Sequence, residues 1–140
     1  MILLDTNIIL RSKQTSSKHY KEVTEKLIEL FTEGYEFVIC PQVIYEFYVV
    51  ATRPDDKNGL GLTPENAIKE INNITKTYTL LDDNNQIFAN WKELVNTFKV
   101  SGKTAHDTRI VAFMQSHQIE NFYTLNKSDF KRFETIITLI

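Results

Sequence analysis

The sequence predicts a three-layer α/β/α sandwich around a central, mainly parallel five-stranded sheet. Short apolar runs alternate along the chain with longer stretches of helical periodicity. None of those runs alternates apolar with polar cleanly, which marks strands covered on both faces. Glycine and proline together number only seven in 140 residues, so the elements are long and the connections few. Strands that alternate with helices close by right-handed crossovers into layers.

The first strand is Ile2–Leu4. A helix over His19–Thr32 follows, with Val23, Leu27, Ile28, Leu30 and Phe31 as its apolar residues. Phe37–Cys40 reads as the second strand, and Pro41 suits the first turn of a helix over Gln42–Thr52. Thr63-Pro64-Glu65 reads as cap, first-turn proline and first-turn acid of a helix running to about Thr75. A third strand is expected at Thr77–Leu81. Helices over Asn84–Lys99, with Ile87, Trp91, Leu94, Val95 and Phe98, and over Ala105–Gln118 come next. Phe122–Leu125 reads as a strand, Asn126–Phe133 as a short helix and Ile136–Ile140 as the fifth strand. The loop Arg53–Leu62 is too short to link two domains and no internal repeat appears, so residues 1–140 read as a single domain.

Hydrophobic residues make up 42% and charged residues 24%, a globular composition. It excludes a disordered acidic tail, a disulfide-stapled miniprotein and a collagen-like chain. The formal charge is −2, from 16 basic and 18 acidic residues. Bulk charge therefore argues mildly against nucleic acid, whose partners carry a basic excess. The lone cysteine, Cys40, ends the run Phe37-Val38-Ile39 and reads as a buried small hydrophobe in a reducing compartment. No apolar run approaches the ~20 residues that span a bilayer. The start Met1-Ile-Leu-Leu-Asp carries no basic segment before its apolar run, so no signal peptide is expected. The expectation is a soluble, cytoplasmic protein with no membrane partner.

Three acids stand where acids are costly. Asp5 ends the first apolar run, and so either lies at the carboxyl edge of a central strand, where α/β sheets place their sites, or caps a helix starting at Thr6 or Asn7. Glu46 shares a helix face with Val43, Val49 and Val50 in a helix apolar nearly all round. A carboxylate there must be paired, for example with Arg53, or hold a metal. Asp107 shares a face with Ile110, Val111 and Met114; the alternative for it is a first-turn acid favoured by the helix dipole. In an α/β fold the three positions can converge at one sheet edge. Converging carboxylates repel and raise one another's pKa, a conflict that a divalent cation removes. Oxygen ligands suit Mg²⁺ or Mn²⁺, and His19, His106 and His117 are too scattered for zinc. After the fourth strand, Asn126 and Asp129 form either a capping-box-like pair or the edge of the same acidic site.

These residues resemble the PIN-domain proteins, specifically the VapC-type toxins of toxin–antitoxin pairs. Ile2-Leu-Leu-Asp5-Thr-Asn7 is similar to the family's opening, and Pro41-Gln-Val-Ile-Tyr-Glu46-Phe47 to its second acidic motif. Lys103-Thr-Ala-His-Asp107-Thr-Arg-Ile-Val-Ala112 resembles the third motif, and Tyr123-Thr-Leu-Asn126-Lys-Ser-Asp129-Phe130 the last. The four motifs cover essentially the whole chain in order. The segment from Arg53-Pro54 through Asn58-Gly-Leu-Gly-Leu-Thr-Pro64 is similar to a subgroup. The resemblance implies Asp5, Glu46 and Asp107 as metal ligands and catalytic acids, with Thr6, Asn7, Thr124 and Asp129 in support. Asn126 falls where many members carry a fourth Asp; an amide there can orient a water but adds no charge.

The implied activity is hydrolysis of RNA phosphodiesters with Mg²⁺ or Mn²⁺, by the toxin of a toxin–antitoxin pair. Basic residues are then expected around the site: Arg53, Lys57, Lys103, Arg109 and Lys127 are the candidates for RNA. The implied partners are a cognate antitoxin and a second copy of the chain, with Tyr45, Phe47, Tyr48 and the helix Tyr20–Phe31 as candidate surfaces. Two other readings compete. A phosphoryl-accepting α/β domain would want paired acids beside the strand, and no Asp-x-Asp occurs. A catalytically weak or inactive PIN-like module that binds RNA or protein is the other, kept open by Asn126.

Overall fold

The computed structural model describes residues 1–140. Five strands, β1 (Ile2–Leu4), β2 (Phe37–Ile39), β3 (Thr79–Leu80), β4 (Asn121–Tyr123) and β5 (Thr138–Leu139), form one sheet in the order β3-β2-β1-β4-β5. Every neighbouring pair is parallel, so the expected mainly parallel sheet is parallel throughout. Seven α-helices accompany it: α1 (Thr6–Lys13), α2 (Tyr20–Thr32), α3 (Pro41–Thr52), α4 (Pro64–Thr77), α5 (Ile87–Thr97), α6 (Thr104–Ser116) and α7 (Lys127–Phe130).

The chain winds outward from β1 through β2 to β3, then crosses to the other side of β1 for β4 and β5. That reversal opens a crevice between the carboxyl ends of β1 and β4, the usual place for a site in an open α/β sheet. β1 is fully buried along its length, and the inner residues of β2 and β4 are buried with it. β3 at the sheet's edge is exposed, so cover on both faces holds for the three central strands only. Ile2, Leu3, Leu4, Ile8, Ile9, Phe47, Phe113, Phe122 and Phe133 form the heart of the core. Burying each such side chain contributes roughly 1.5–3 kcal/mol relative to exposure.

Several boundaries differ from expectation. α1 follows β1 with only Asp5 between, and its Ile8, Ile9 and Leu10 are all buried. α4 runs on to Thr77, which shortens β3 to two residues. α3 does not bury a broad face: Val43, Phe47 and Ala51 form its buried stripe, while Tyr45 and Val49 are exposed at 65% and 55%. Phe47 therefore belongs to the core and is unavailable as a docking surface. Thr63 caps α4 by accepting from the Asn66 amide. Cys40 is buried, as its apolar run implied. No helix is long and apolar enough to cross a membrane.

Candidate active site

Asp5 leaves β1 and enters α1, and it fills both roles open to it. Its Oδ1 accepts from the Thr6 amide at 2.7 Å, which caps α1. Its Oδ2 accepts from Asn7 Nδ2 at 2.7 Å and from Thr124 Oγ1 at 2.5 Å. Thr124 stands just past β4, so this bond spans the crevice between the two strands. Asn7 reaches the same strand end by accepting from the Leu125 amide at 3.1 Å. The Thr124 hydroxyl also accepts from the Asn126 amide at 3.0 Å. The support residues thus hold Asp5 from both sides of the crevice. Burial pushes the Asp5 carboxyl up to about 6; its hydrogen bonds to Thr124 and Thr6 resist that rise and the Glu46 charge adds to it.

Glu46 sits half-buried beside the apolar stripe of α3. It makes no ion pair with Arg53. Thr6 Oγ1 donates to its Oε2 at 2.9 Å, and Gln42 Nε2 donates to its Oε1 at 2.9 Å. Both oxygens are held by neutral donors. Asp107 lies in the first turn of α6, with Ile110, Val111 and Met114 buried below it. Its carboxyl is raised by burial first, then by the charges of Asp129 and Glu46. Those causes place Asp107 in the electrostatic neighbourhood of two other acids.

Asp5, Thr6, Asn7, Glu46, Asp107, Asn126 and Asp129 line one cleft of about 170 Å³, closed on its apolar side by Leu10, Ile110 and Phe130. The capping box over α7 does not form: Asn126 makes no side-chain cap, and Asp129 meets it only through a backbone hydrogen bond. Both side chains remain exposed at the cleft. Asp129 is the fourth carboxylate lining the cleft.

The basic candidates scatter. Lys127 heads α7 and lines a groove of about 880 Å³ with Lys18, Lys21 and Lys26 and with Glu22, Glu25 and Glu29; Lys21 pairs with Glu25 and Lys26 with Glu29. Thr124, Leu125, Lys127 and Ser128 face this groove, while Asn126 and Asp129 of the same segment face the acidic cleft. Arg109 forks between Gln42 Oε1 at 3.2 Å and Asp83 at 2.8 Å. Lys103 is exposed just ahead of α6, while Arg53 and Lys57 lie past the end of α3, outside the cleft lining. Sequence reasoning missed Gln42. Its spacing of four before Glu46 on one helix was the available signal.

The donor set is oxygen-only and rich in carboxylate. No three of the His, Cys, Asp and Glu side chains are grouped closely enough to hold a metal ion as they stand. Oxygen donors of this kind are the chemistry that hard divalent cations take, with water completing the shell.

A parallel α/β domain with an acidic cleft at its switch point is the class of protein that fold and site define. The model of the PIN domain matches residues 2–135, and the chain belongs to that family. No curated protein sequence matches it. A chain of VapBC-1 from nontypeable Haemophilus influenzae superposes with a TM-score of 0.70 at 22% identity, over 100% of this chain and 97% of that one. VapBC2 from Rickettsia felis, bound to a promoter DNA fragment, gives 0.69 at 19% identity, over 100% and 98%. Mycobacterium tuberculosis VapC20, a toxin that cleaves the sarcin-ricin loop, gives 0.64 at 13% identity, over 92% of each chain. At these identities the likeness is one of fold.

Proposed function

We propose that the chain is a divalent-cation-dependent endoribonuclease, the toxin of a toxin–antitoxin pair. One observation carries the reading. Asp5, Glu46, Asp107 and Asp129, from four separate segments, line a single cleft at the switch point of the sheet. A fold does not gather unpaired acids at such a place for stability, because burial and mutual repulsion both oppose it.

Asp5, Glu46 and Asp107 would hold the cation. When bound, it would neutralise charge on a phosphate and acidify a water for attack on phosphorus. Thr6, Asn7 and Thr124 keep Asp5 ionised and oriented by hydrogen bonding to its charged form. The Asn126 amide, uncommitted to capping, is free to donate to a phosphate oxygen or to orient the attacking water. Lys127 and Lys18, neither of them in an ion pair, offer positive charge in a groove otherwise balanced by Glu22, Glu25 and Glu29, and an RNA backbone would gain from those two.

The partner reading rests on the neighbours, which include toxin–antitoxin complexes. Ile28 and Phe31 leave an exposed apolar surface on α2 for an antitoxin, and Tyr45 and Val49 leave one on α3 for a second copy. A cytoplasmic location goes with this reading.

The test is incubation of purified, antitoxin-free protein with labelled RNA in Mg²⁺ or Mn²⁺. The expected result is cation-dependent cleavage without a 2′,3′-cyclic phosphate, because water rather than the RNA's own hydroxyl attacks. Binding of RNA with no cleavage at any cation concentration would favour a non-catalytic module instead.

A further inference from the structure

Gln42 stands in the first turn of α3, one helical turn before Glu46. Its Nε2 donates to Glu46 Oε1 at 2.9 Å and to the His106 carbonyl at 3.1 Å. Its Oε1 accepts from Arg109 Nη1 at 3.2 Å. The chemistry of the partners fixes which end of the amide is which. A carboxylate and a carbonyl only accept, and a guanidinium only donates. A flipped amide would oppose two acceptors with an acceptor and a donor with a donor.

The bonds join two helices. Glu46 lies on α3, and His106 lies on α6 immediately before Asp107. Glu46 and Asp107 carry like charge and repel across the cleft. A lysine or arginine between them would hold them, but would also cancel the charge that a cation needs. A neutral amide holds them without cancelling it. Arg109, one turn along α6 from Ala105, steadies the far side of the amide and is itself anchored by Asp83 at 2.8 Å.

Resting on the nuclease reading above, we infer that Gln42 is a positioning residue that fixes Glu46 relative to Asp107, and that Arg109 acts through Gln42 rather than on RNA. Sequence reasoning had placed Arg109 among the RNA contacts. Its two hydrogen bonds to Gln42 and Asp83 instead assign it to the site's framework.

The experiment compares wild type, Gln42→Met, Arg109→Met and the double variant. Affinity for Mn²⁺ alone is measured by calorimetry, RNA cleavage by kcat and KM, and folding by circular dichroism. Gln42→Met, which keeps the volume and loses the hydrogen bonds, is expected to weaken Mn²⁺ binding by about tenfold. It should lower kcat and leave the RNA KM unchanged. Arg109→Met should move both in the same direction by less, and the double variant should match Gln42→Met alone, because one residue acts through the other. Unchanged Mn²⁺ affinity in Gln42→Met overturns the proposal, as does an Arg109→Met that raises only the RNA KM. If Gln42→Met does not fold, Arg109→Met decides by the same Mn²⁺ readout. A wild type that binds Mn²⁺ but cuts no RNA defeats the nuclease reading and leaves the Mn²⁺ comparison to judge Gln42.

Discussion

The Thr124 hydroxyl donates to Asp5 Oδ2 at 2.5 Å, joining the end of β4 to the end of β1 across 119 positions of sequence. This bond spans the crevice in which the acidic cleft opens. It also opposes the burial that raises the Asp5 carboxyl.

Replacing Thr124 by Val keeps the shape and removes that donor. The Asp5 carboxyl should then rise further above 6, since a hydrogen bond to a charged group is worth about 1.5–3 kcal/mol. Cleavage at neutral pH should fall, and the acid limb of the pH–rate profile should move to higher pH. Thr124→Ser should behave like wild type. A Val variant with an unshifted limb would remove Thr124 from the site's electrostatics.

Asp5 also links stability to pH. Its carboxyl titrates at about 6 in the folded chain against an ordinary value of 3.8. Between those values the folded state binds the extra proton, so its contribution to stability falls as pH rises through the window. Above it the cost levels off at about 3 kcal/mol. Urea melts of wild type and Asp5→Asn should therefore diverge between pH 4.5 and pH 7.5, with wild type losing more. Mg²⁺ should restore wild type at pH 7.5 and do little at pH 4.5. A wild-type-to-variant difference that does not change with pH contradicts the assignment.

Gly59 closes the loop that turns back over the end of α3. Its amide donates to the Pro54 carbonyl at 3.0 Å, and the Leu60 amide that follows donates to Val50 at 3.0 Å. A Cβ at Gly59 would stand 1.9 Å from the Arg53 carbonyl oxygen. Gly59→Ala should cost more than ~3 kcal/mol, in the range of severe overpacking and backbone strain. Gly34→Ala meets open space at a φ of +90°, so it should cost only about 1 kcal/mol. Thermal melts of the two variants check the contrast.

Lys18 and Lys127 line the groove beside the cleft. Charge reversal at either should weaken RNA binding and reduce the salt slope by about 1. Cleavage at saturating RNA should be unaffected. Filter binding over a salt series measures both, and an unchanged slope would place the RNA elsewhere.

The central fold was legible because Ile2–Leu4 and its neighbours are buried on both faces and so read as unbroken apolar runs. β3 was overestimated for the converse reason: at the sheet's edge, exposed Thr79 and Leu80 leave little pattern to bound it. α1 was visible only as a capping possibility, since its apolar residues Ile8-Ile9-Leu10 are consecutive and show no helical period. Asp5, Glu46 and Asp107 stood out in the sequence because each is an acid among apolar neighbours, and the fold brings them to one cleft. The contacts of Gln42 with His106 and Arg109 did not stand out, because those partners lie 64 and 67 positions away in sequence. The net charge of −2 says little about the site for a similar reason. It counts the cleft acids as dispersed surface charge, whereas Asp5, Glu46, Asp107 and Asp129 are gathered in one cleft.

The most direct measurement is single-turnover RNA cleavage by wild type and Asp107→Asn across a Mg²⁺ titration, with chelator as the starting point. The account predicts no cleavage in chelator, recovery on adding Mg²⁺, and a loss of at least about 10²-fold in the variant that more Mg²⁺ does not repair. Wild-type cleavage that persists in chelator, or that Asp107→Asn leaves intact, would contradict it.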